Sequence, residues 1–322
     1  MGPVAAEGTA DVEARVWARA PAGTREFLLR GLAPGDLRTL LLAVARERAA
    51  AVRPADVLHR WRQDRFVRPA GTDPRALARV EARMWELLPA AFAGVELSPV
   101  VPLGTSSALA PIGQGRVVST TRLGEVLSDS TNALAVEAAH RRRPQPPTAA
   151  VHLAASHRQL RAQVFGPGAG AHFRLFALVS STRDAGSRRT EAQLLVEHVR
   201  YWQRVLADLL PAGTAQVRFT VFDDPALAER VEDAVLPAVG PGAGGAAAAV
   251  PLLAEPGRER GRGYYAGAAI RLTARGADGE VELGDGGGTT WTAQLLGDAK
   301  ERCLVSCLAT ERLTDLVTAA GG

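Results

Sequence analysis

Leu160-Arg161-Ala162-Gln163-Val164-Phe165-Gly166-Pro167-Gly168-Ala169-Gly170-Ala171-His172-Phe173-Arg174-Leu175-Phe176 spells a strand, a glycine-rich loop and a second strand. The strand-like run VHLAA leads into it from Val151, and HFRLFALVS carries on from His172. Further out, QVRFTVF (216–222) is a third such run, and AAIRLTAR (268–275) with GEVELG (279–284) forms a hairpin around Gly276-Ala277-Asp278-Gly279. Two helical stretches alternate with these runs, NALAVEAAHRRR (132–143) before the first and the amphipathic EAQLLVEHVRYWQRVLADLL (191–210) between the second and third. Strands joined mainly by hairpins predict an antiparallel sheet flanked by helices, hence an α/β (α+β) chain.

The margins of that core are also readable. Thr72-Asp73-Pro74 is a helix start, with a capping side-chain oxygen and proline in the first turn; Leu77, Val80, Met84, Leu87 and Leu88 follow on one face. VELSPVVPLG (95–104) reads as a short strand bounded by prolines. Residues 1–71, with Leu37, Leu40, Leu41 and Val44 at helical spacing, form an expected N-terminal helical module, and 72–322 the core. GPGAGGAAAA (240–249) is expected to be a low-complexity loop, and CLVSCLATERLTDLVTAA (303–320) is the closing element.

Composition narrows the function classes. With 47% hydrophobic residues in 322, the chain can bury a sizeable core. No apolar run reaches the roughly 20 residues of a spanning helix, and the N-terminus lacks the apolar segment of a signal peptide, so a cytoplasmic protein without membrane contact is expected. Cys303 and Cys307 are the only cysteines, which rules out a thiol-only zinc site; both read as small buried hydrophobes. Arg60/Arg62/Arg65/Arg68 and Arg141–Arg143 are basic clusters that fit either a solvated face or a phosphate backbone. His152, His157 and His172 match no metal-ligand spacing, and no metal is expected among the side chains. P-loop, dinucleotide, GxSxG and HExxH motifs are absent from the sequence.

The order of the elements resembles the catalytic core of class II aminoacyl-tRNA synthetases. The helix from Pro74 with VELSPVVP looks like the first of their three motifs, LRAQVFGPGAGAHFRLF like the second and CLATERL like the third. Three features place the resemblance in the histidyl-tRNA synthetase branch. Arg161 precedes Phe173 by twelve positions, the spacing of that family's phosphate-binding arginine and adenine-stacking phenylalanine. Arg260-Gly261-Arg262-Gly263-Tyr264-Tyr265-Ala266-Gly267 is similar to the family's RGLDYYTG, and Gly286-Gly287-Gly288 to the glycines of its GGGRYD. Leu127-Ser128-Asp129-Ser130-Thr131 stands where the family has LRPEGT.

The resemblance implies roles residue by residue. Arg161, Phe173 and Arg312 would hold ATP, with Mg²⁺ accompanying it; Arg260 would neutralise the substrate carboxylate and the developing charge; Asp129, Thr131, Tyr264 and Tyr265 would receive the amino acid. Arg161, Arg260 and Arg312 are thus the expected catalytic set. Each also has a purely structural reading: Arg161 as a surface arginine, Phe173 as a core residue, Asp129 and Thr131 as a helix N-cap.

Departures from the family qualify the job. Gln163 replaces a glutamate, Ala169 and Ala171 replace arginines, Leu175 a glutamine, Gly263 an aspartate, and Thr289-Thr290 an Arg-Tyr pair. Val305, Cys307 and Ala309 stand where the third motif has glycines, which narrows the floor of the pocket. The resemblance stops at the third motif, where tRNA-charging members continue with an anticodon-binding domain of about a hundred residues. Two functions are therefore expected. One is ATP-dependent adenylation of an amino acid with transfer to an acceptor other than ordinary tRNA, such as a carrier; the other is an inactive amino-acid sensor like the synthetase-like regulatory paralogue of ATP phosphoribosyltransferase. A homodimer is implied in either case.

Overall fold

The computed structural model describes residues 4–165 and 170–321. The chain divides into two compact units, Met1–Gln63 with Thr120–Gly124, and Asp64–Ser119 with Glu125–Gly322. The first is helical, built from Val4–Ala18, Pro34–Ala50 and Pro54–Gln63, and no side chain from 11 to 63 is buried. Leu40, Leu41 and Val44 do share a helix, but all three are exposed.

The second unit is organised by an eight-stranded sheet. Its strands, in chain order, are β1 (Phe92–Gly94), β4 (Val151–Leu160), β5 (His172–Arg183), β6 (Ala215–Val221), β7 (Leu252–Ala254), β8 (Ala266–Gly276), β9 (Gly279–Thr289) and β10 (Glu301–Ala309); β2 (Val100–Pro102) and β3 (Gly124–Val126) lie outside it. The spatial order is β1-β4-β5-β10-β9-β8-β6-β7. All pairings are antiparallel except β1 with β4 and β6 with β7 at the two edges.

The expected helix start is present: Asp73 caps Pro74–Glu86 by accepting from the Arg75 N–H, and Leu77, Val80 and Met84 are buried beneath it. The strand expected at 95–104 is broken instead. β1 ends at Gly94, Val95 adds one further bond to the Ala154 carbonyl, and pairing resumes only at Val100, because Pro99 offers no N–H to a ladder. The expected loop at 240–249 contains short helical turns, Pro241–Ala243 and Ala246–Ala249. The buried Gln203 amide pins its flanks by donating to the carbonyls of Val239 and Val250.

Each face of the sheet is covered. The amphipathic Arg189–Leu209 helix packs Leu195, Val199, Trp202 and Leu206 against Phe176, Leu178, Ile270, Leu272 and Leu304. On the opposite face, Leu134, Ala135 and Ala138 of the Ser130–Arg142 helix and Trp291 meet Leu153, Ala155, Ala177, Val179 and Val305. The alternation of side chains along each strand separates these two cores. Arg142, expected in a solvated or phosphate-facing cluster, is buried here. Its guanidinium makes two bonds to Glu301 and reaches the carbonyls of Pro146 and Ala149, so the chain itself meets the charge.

Candidate functional site

The second face carries the residues that the motifs single out. Asp129 is the N-cap of Ser130–Arg142, with extended backbone at φ −153°, and its carboxylate accepts from the Thr131 N–H at 2.9 Å and from the Thr131 hydroxyl at 2.7 Å. The capping reading is therefore realised, and it orients the acid. Arg161, just past β4, donates through Nε to the Ser128 carbonyl at 2.9 Å and lies 3.4 Å from the Asp129 carboxylate. Its guanidinium carbon is 5.1 Å from the centre of the Phe173 ring. The link between β4 and β5 is tied back on the core side, where Arg65 donates to the carbonyls of Ala162 and Gln163. Ala169 lies outside the described residues.

The segment before β8 brings in the aromatic pair. Gly261 adopts φ +94°, and its carbonyl accepts from the N–H groups of both Tyr264 and Tyr265, forming a tight turn. Tyr265 then lies against β9: a Cβ at Gly287 would come within 2.7 Å of the ring and 2.5 Å of the Ala268 carbonyl. The glycine run is thus required for close packing of chain on chain. Tyr264 stacks edge-on to Tyr265 at 4.9 Å and to Trp291 at 5.8 Å.

Two arginines of this segment take different places. Arg260 is largely exposed and holds the Glu282 carboxylate at 2.9 Å, while Arg312 donates to the Glu282 backbone carbonyl at 2.8 Å. Arg258 is the buried one: its Nε donates to the Arg260 carbonyl, Nη1 to the Ile270 carbonyl, and Nη2 lies 3.6 Å from the Asp285 carboxylate.

Asp285 occupies the middle of a cross-strand row, Ala155, Ala177, Cys307, Asp285, Arg271, Arg218, running from β4 across to β6. Burial pushes its carboxyl above the usual range; Arg258 and Arg260 oppose this, and Glu282 and Asp129 add to it. The Tyr264 and Tyr265 hydroxyls are raised by burial and by the charges of Asp129 and Asp285. Burial, Asp285 and Asp129 likewise raise the Cys307 thiol, so it is a weak nucleophile.

Asp129, Thr131, Arg161, Phe173, Tyr264 and Tyr265 thus come together, whereas Arg260 and Arg312 meet each other at Glu282. Sequence reasoning missed Arg258 and Asp285. It took Cys307 for a buried hydrophobe, but this residue is half-buried beside Asp285 because alternate residues of β10 face the site. Asp285 directly precedes the glycine run, which was the one available signal. Two of the three histidines bond within the chain: His172 joins the Arg158 side chain and the Arg68 carbonyl, and His152 joins Ser180. Among the described residues no group of three His, Cys, Asp or Glu side chains is arranged for a metal, and no helix is long and apolar enough to cross a membrane. A cleft of about 780 Å³ lies elsewhere, beside Gln216, Arg218, Arg275 and Glu280.

No protein-family model and no curated protein sequence matches the chain. Solved structures do. The apo histidyl-tRNA synthetase of S. aureus aligns at a TM-score of 0.54 and 15% identity, over 79% of this chain and 70% of that one. An ATP phosphoribosyltransferase regulatory subunit/histidyl-tRNA synthetase from Bacillus halodurans gives 0.56 and 12%, over 77% and 82%. A histidine–tRNA ligase subunit from Alicyclobacillus acidocaldarius gives 0.56 and 12%, over 79% and 98%. At these identities the likeness concerns the fold: the chain has the class II aminoacyl-tRNA synthetase fold, with histidyl-tRNA synthetases among its structural neighbours.

Proposed function

We propose that the chain activates the carboxylate of an amino acid with ATP and passes it to an acceptor other than ordinary tRNA. The observation that carries this reading is the meeting of Arg161, Phe173 and Asp129, three residues from separate elements: a cation lies 3.4 Å from an acid and 5.1 Å from an aromatic ring. Asp129 and the lone pairs of Thr131 would accept from the ammonium group, and Tyr264 and Tyr265 would line the side chain. Arg161 would neutralise the α-phosphate, and Phe173 would cover the base.

The substrate carboxylate is already a nucleophile. Its oxygen attacks the α-phosphorus, an O–P bond forms, and the bond to the β-phosphate breaks with its electron pair leaving on pyrophosphate. No general base is needed, so positioning and charge neutralisation supply the rate. Mg²⁺ would enter with the triphosphate, held largely by phosphate oxygens and water. Residues 1–71 would be an appended module, the chain a homodimer in the cytoplasm, and the acceptor a carrier, an amine or a tRNA engaged through the arginines at 60–68.

A second reading, the amino-acid sensor, draws support from Glu282. Arg260, the cation expected at the substrate carboxylate, and Arg312, the one expected on ATP, are both engaged by this residue. A pyrophosphate-exchange screen over the amino acids, with ATP binding measured in parallel, separates the two. Exchange that is lost in Arg161→Ala establishes activation; amino-acid binding with no ATP binding removes it and leaves the sensor. A tRNA acceptor is dropped if bulk tRNA gives no gel shift at moderate salt.

A further inference from the structure

The Asp285 carboxylate has a place in the fold but no hydrogen-bond donor. It stands directly across from Cys307 on β10, and two residues along the same face of β9 the Tyr265 ring lies on Gly287. Arg258, the nearest cation, is 3.6 Å away, beyond hydrogen-bonding distance, and already serves two backbone carbonyls. Among the described residues no hydrogen bond reaches the Asp285 carboxylate, whose one ion-pair partner is Arg258, and its side chain keeps 27% of its surface open. A half-buried carboxylate with one ion pair and no hydrogen bond keeps acceptor capacity for a ligand. Glu255, by comparison, holds Arg271 through two hydrogen bonds and has Arg218 3.6 Å away, whereas Asp285 has the single ion pair with Arg258.

We propose that Asp285 reads the side chain of the amino-acid ligand and that this side chain carries a positive charge, an ammonium or a guanidinium group. The inference rests on the reading that this site takes an amino acid. Asp129, at the helix N-cap, is positioned for the α-ammonium, which leaves Asp285 for the other end of the molecule. A carboxylate near Tyr265 and Tyr264 suits an organic cation, because aromatic rings attract the charge that the acid neutralises. A neutral hydroxyl or amide donor would hydrogen-bond to Asp285 but leave its charge uncompensated in a half-buried place.

Calorimetric titration of the full chain with matched pairs tests this: L-arginine against L-citrulline, and L-lysine against L-norleucine. The cationic member of at least one pair is expected to bind about 10- to 100-fold more tightly than its neutral partner, the range for a charge-assisted bond. Asp285→Asn should abolish that preference, and Asp129→Asn should weaken both members alike. Because the pairs discriminate in the unaltered protein, the outcome does not depend on the variants folding. Equal binding within both pairs, or a preference that survives Asp285→Asn, overturns the role of Asp285 and leaves the amino-acid site standing. If no free amino acid binds, the underlying reading falls and the inference with it.

Discussion

The two faces of one sheet treat buried polar groups in opposite ways. Under the Arg189–Leu209 helix runs a closed chain: His152 Nδ1 to Ser180 at 2.8 Å, Ser180 to His198 Nε2 at 2.9 Å, His198 Nδ1 to Ser306 at 2.8 Å, and Trp202 Nε1 to Ser306 at 2.8 Å. One assignment of protons serves it all. His152 donates to Ser180, with Glu197 3.3 Å from the same nitrogen; Ser180 donates to His198; His198 and Trp202 both donate to Ser306. On the other face, the Asp285 carboxylate has only the ion pair with Arg258 and no hydrogen bond among the described residues, and Asp129 is held by its own helix. Groups that satisfy each other build a core, whereas groups left short of a partner mark where a ligand completes the structure.

The largest break in this comparison is His198→Ala. Removing a fully buried ring leaves a cavity and strips partners from Ser180 and Ser306, and should lower unfolding stability by about 3–5 kcal/mol. The same residue carries a pH signature. Burial and the neighbouring His152 hold His198 down to about 3, whereas an unfolded histidine takes up its proton near 6.5. The unfolded chain therefore binds more protons between those values, and stability falls as pH drops through that window, by up to about 1.4 kcal/mol per unit. Urea midpoints at pH 7 and pH 5 check both effects. A loss below 1 kcal/mol, or the same acid sensitivity in the variant, would show that the chain of bonds is not part of the stabilising core.

Asp285→Asn should act with the opposite sign. Its carboxyl is raised above the unfolded value by burial, so its contribution is present at low pH and lost as pH rises through the folded pKa. At pH 7 the burial of the charge and its pairing with Arg258 oppose each other, so the neutral isostere should change stability by no more than about 1 kcal/mol. A thermal melt that drops by several degrees would place Asp285 in the core class and remove the contrast.

The fold was legible to the extent that local chemistry decides it. Asp73-Pro74 starts a helix, Gly276 to Gly279 turns a hairpin, and alternating apolar residues make the central strands. Asp129, Arg161 and Phe173 were singled out by the resemblance to a synthetase core, and the structure shows that the three lie together. What escaped depends on partners distant in sequence. Arg142 is buried only because Glu301 lies across the core, and Arg258 rather than Arg260 turns inward because the Ile270 carbonyl receives it. Helical spacing at Leu40, Leu41 and Val44 identified a helix correctly but could not reveal that these residues stay exposed.

The smallest effect on stability belongs to Arg260→Ala, and its smallness is what makes it informative. The guanidinium is 72% exposed, and its bond to Glu282 runs through water-screened surface, so the loss should stay below about 1 kcal/mol. A side chain of so little structural value can leave its partner for a ligand at little cost. Under the activating reading it leaves Glu282 for the substrate carboxylate or the triphosphate, and Arg260→Ala should reduce pyrophosphate exchange at least tenfold with an unchanged melting profile. Under the sensor reading the same variant changes neither stability nor amino-acid affinity, because Asp129 and Asp285 carry recognition. Exchange that persists at full rate in Arg260→Ala would confine the chemistry to Arg161 and the residues around it.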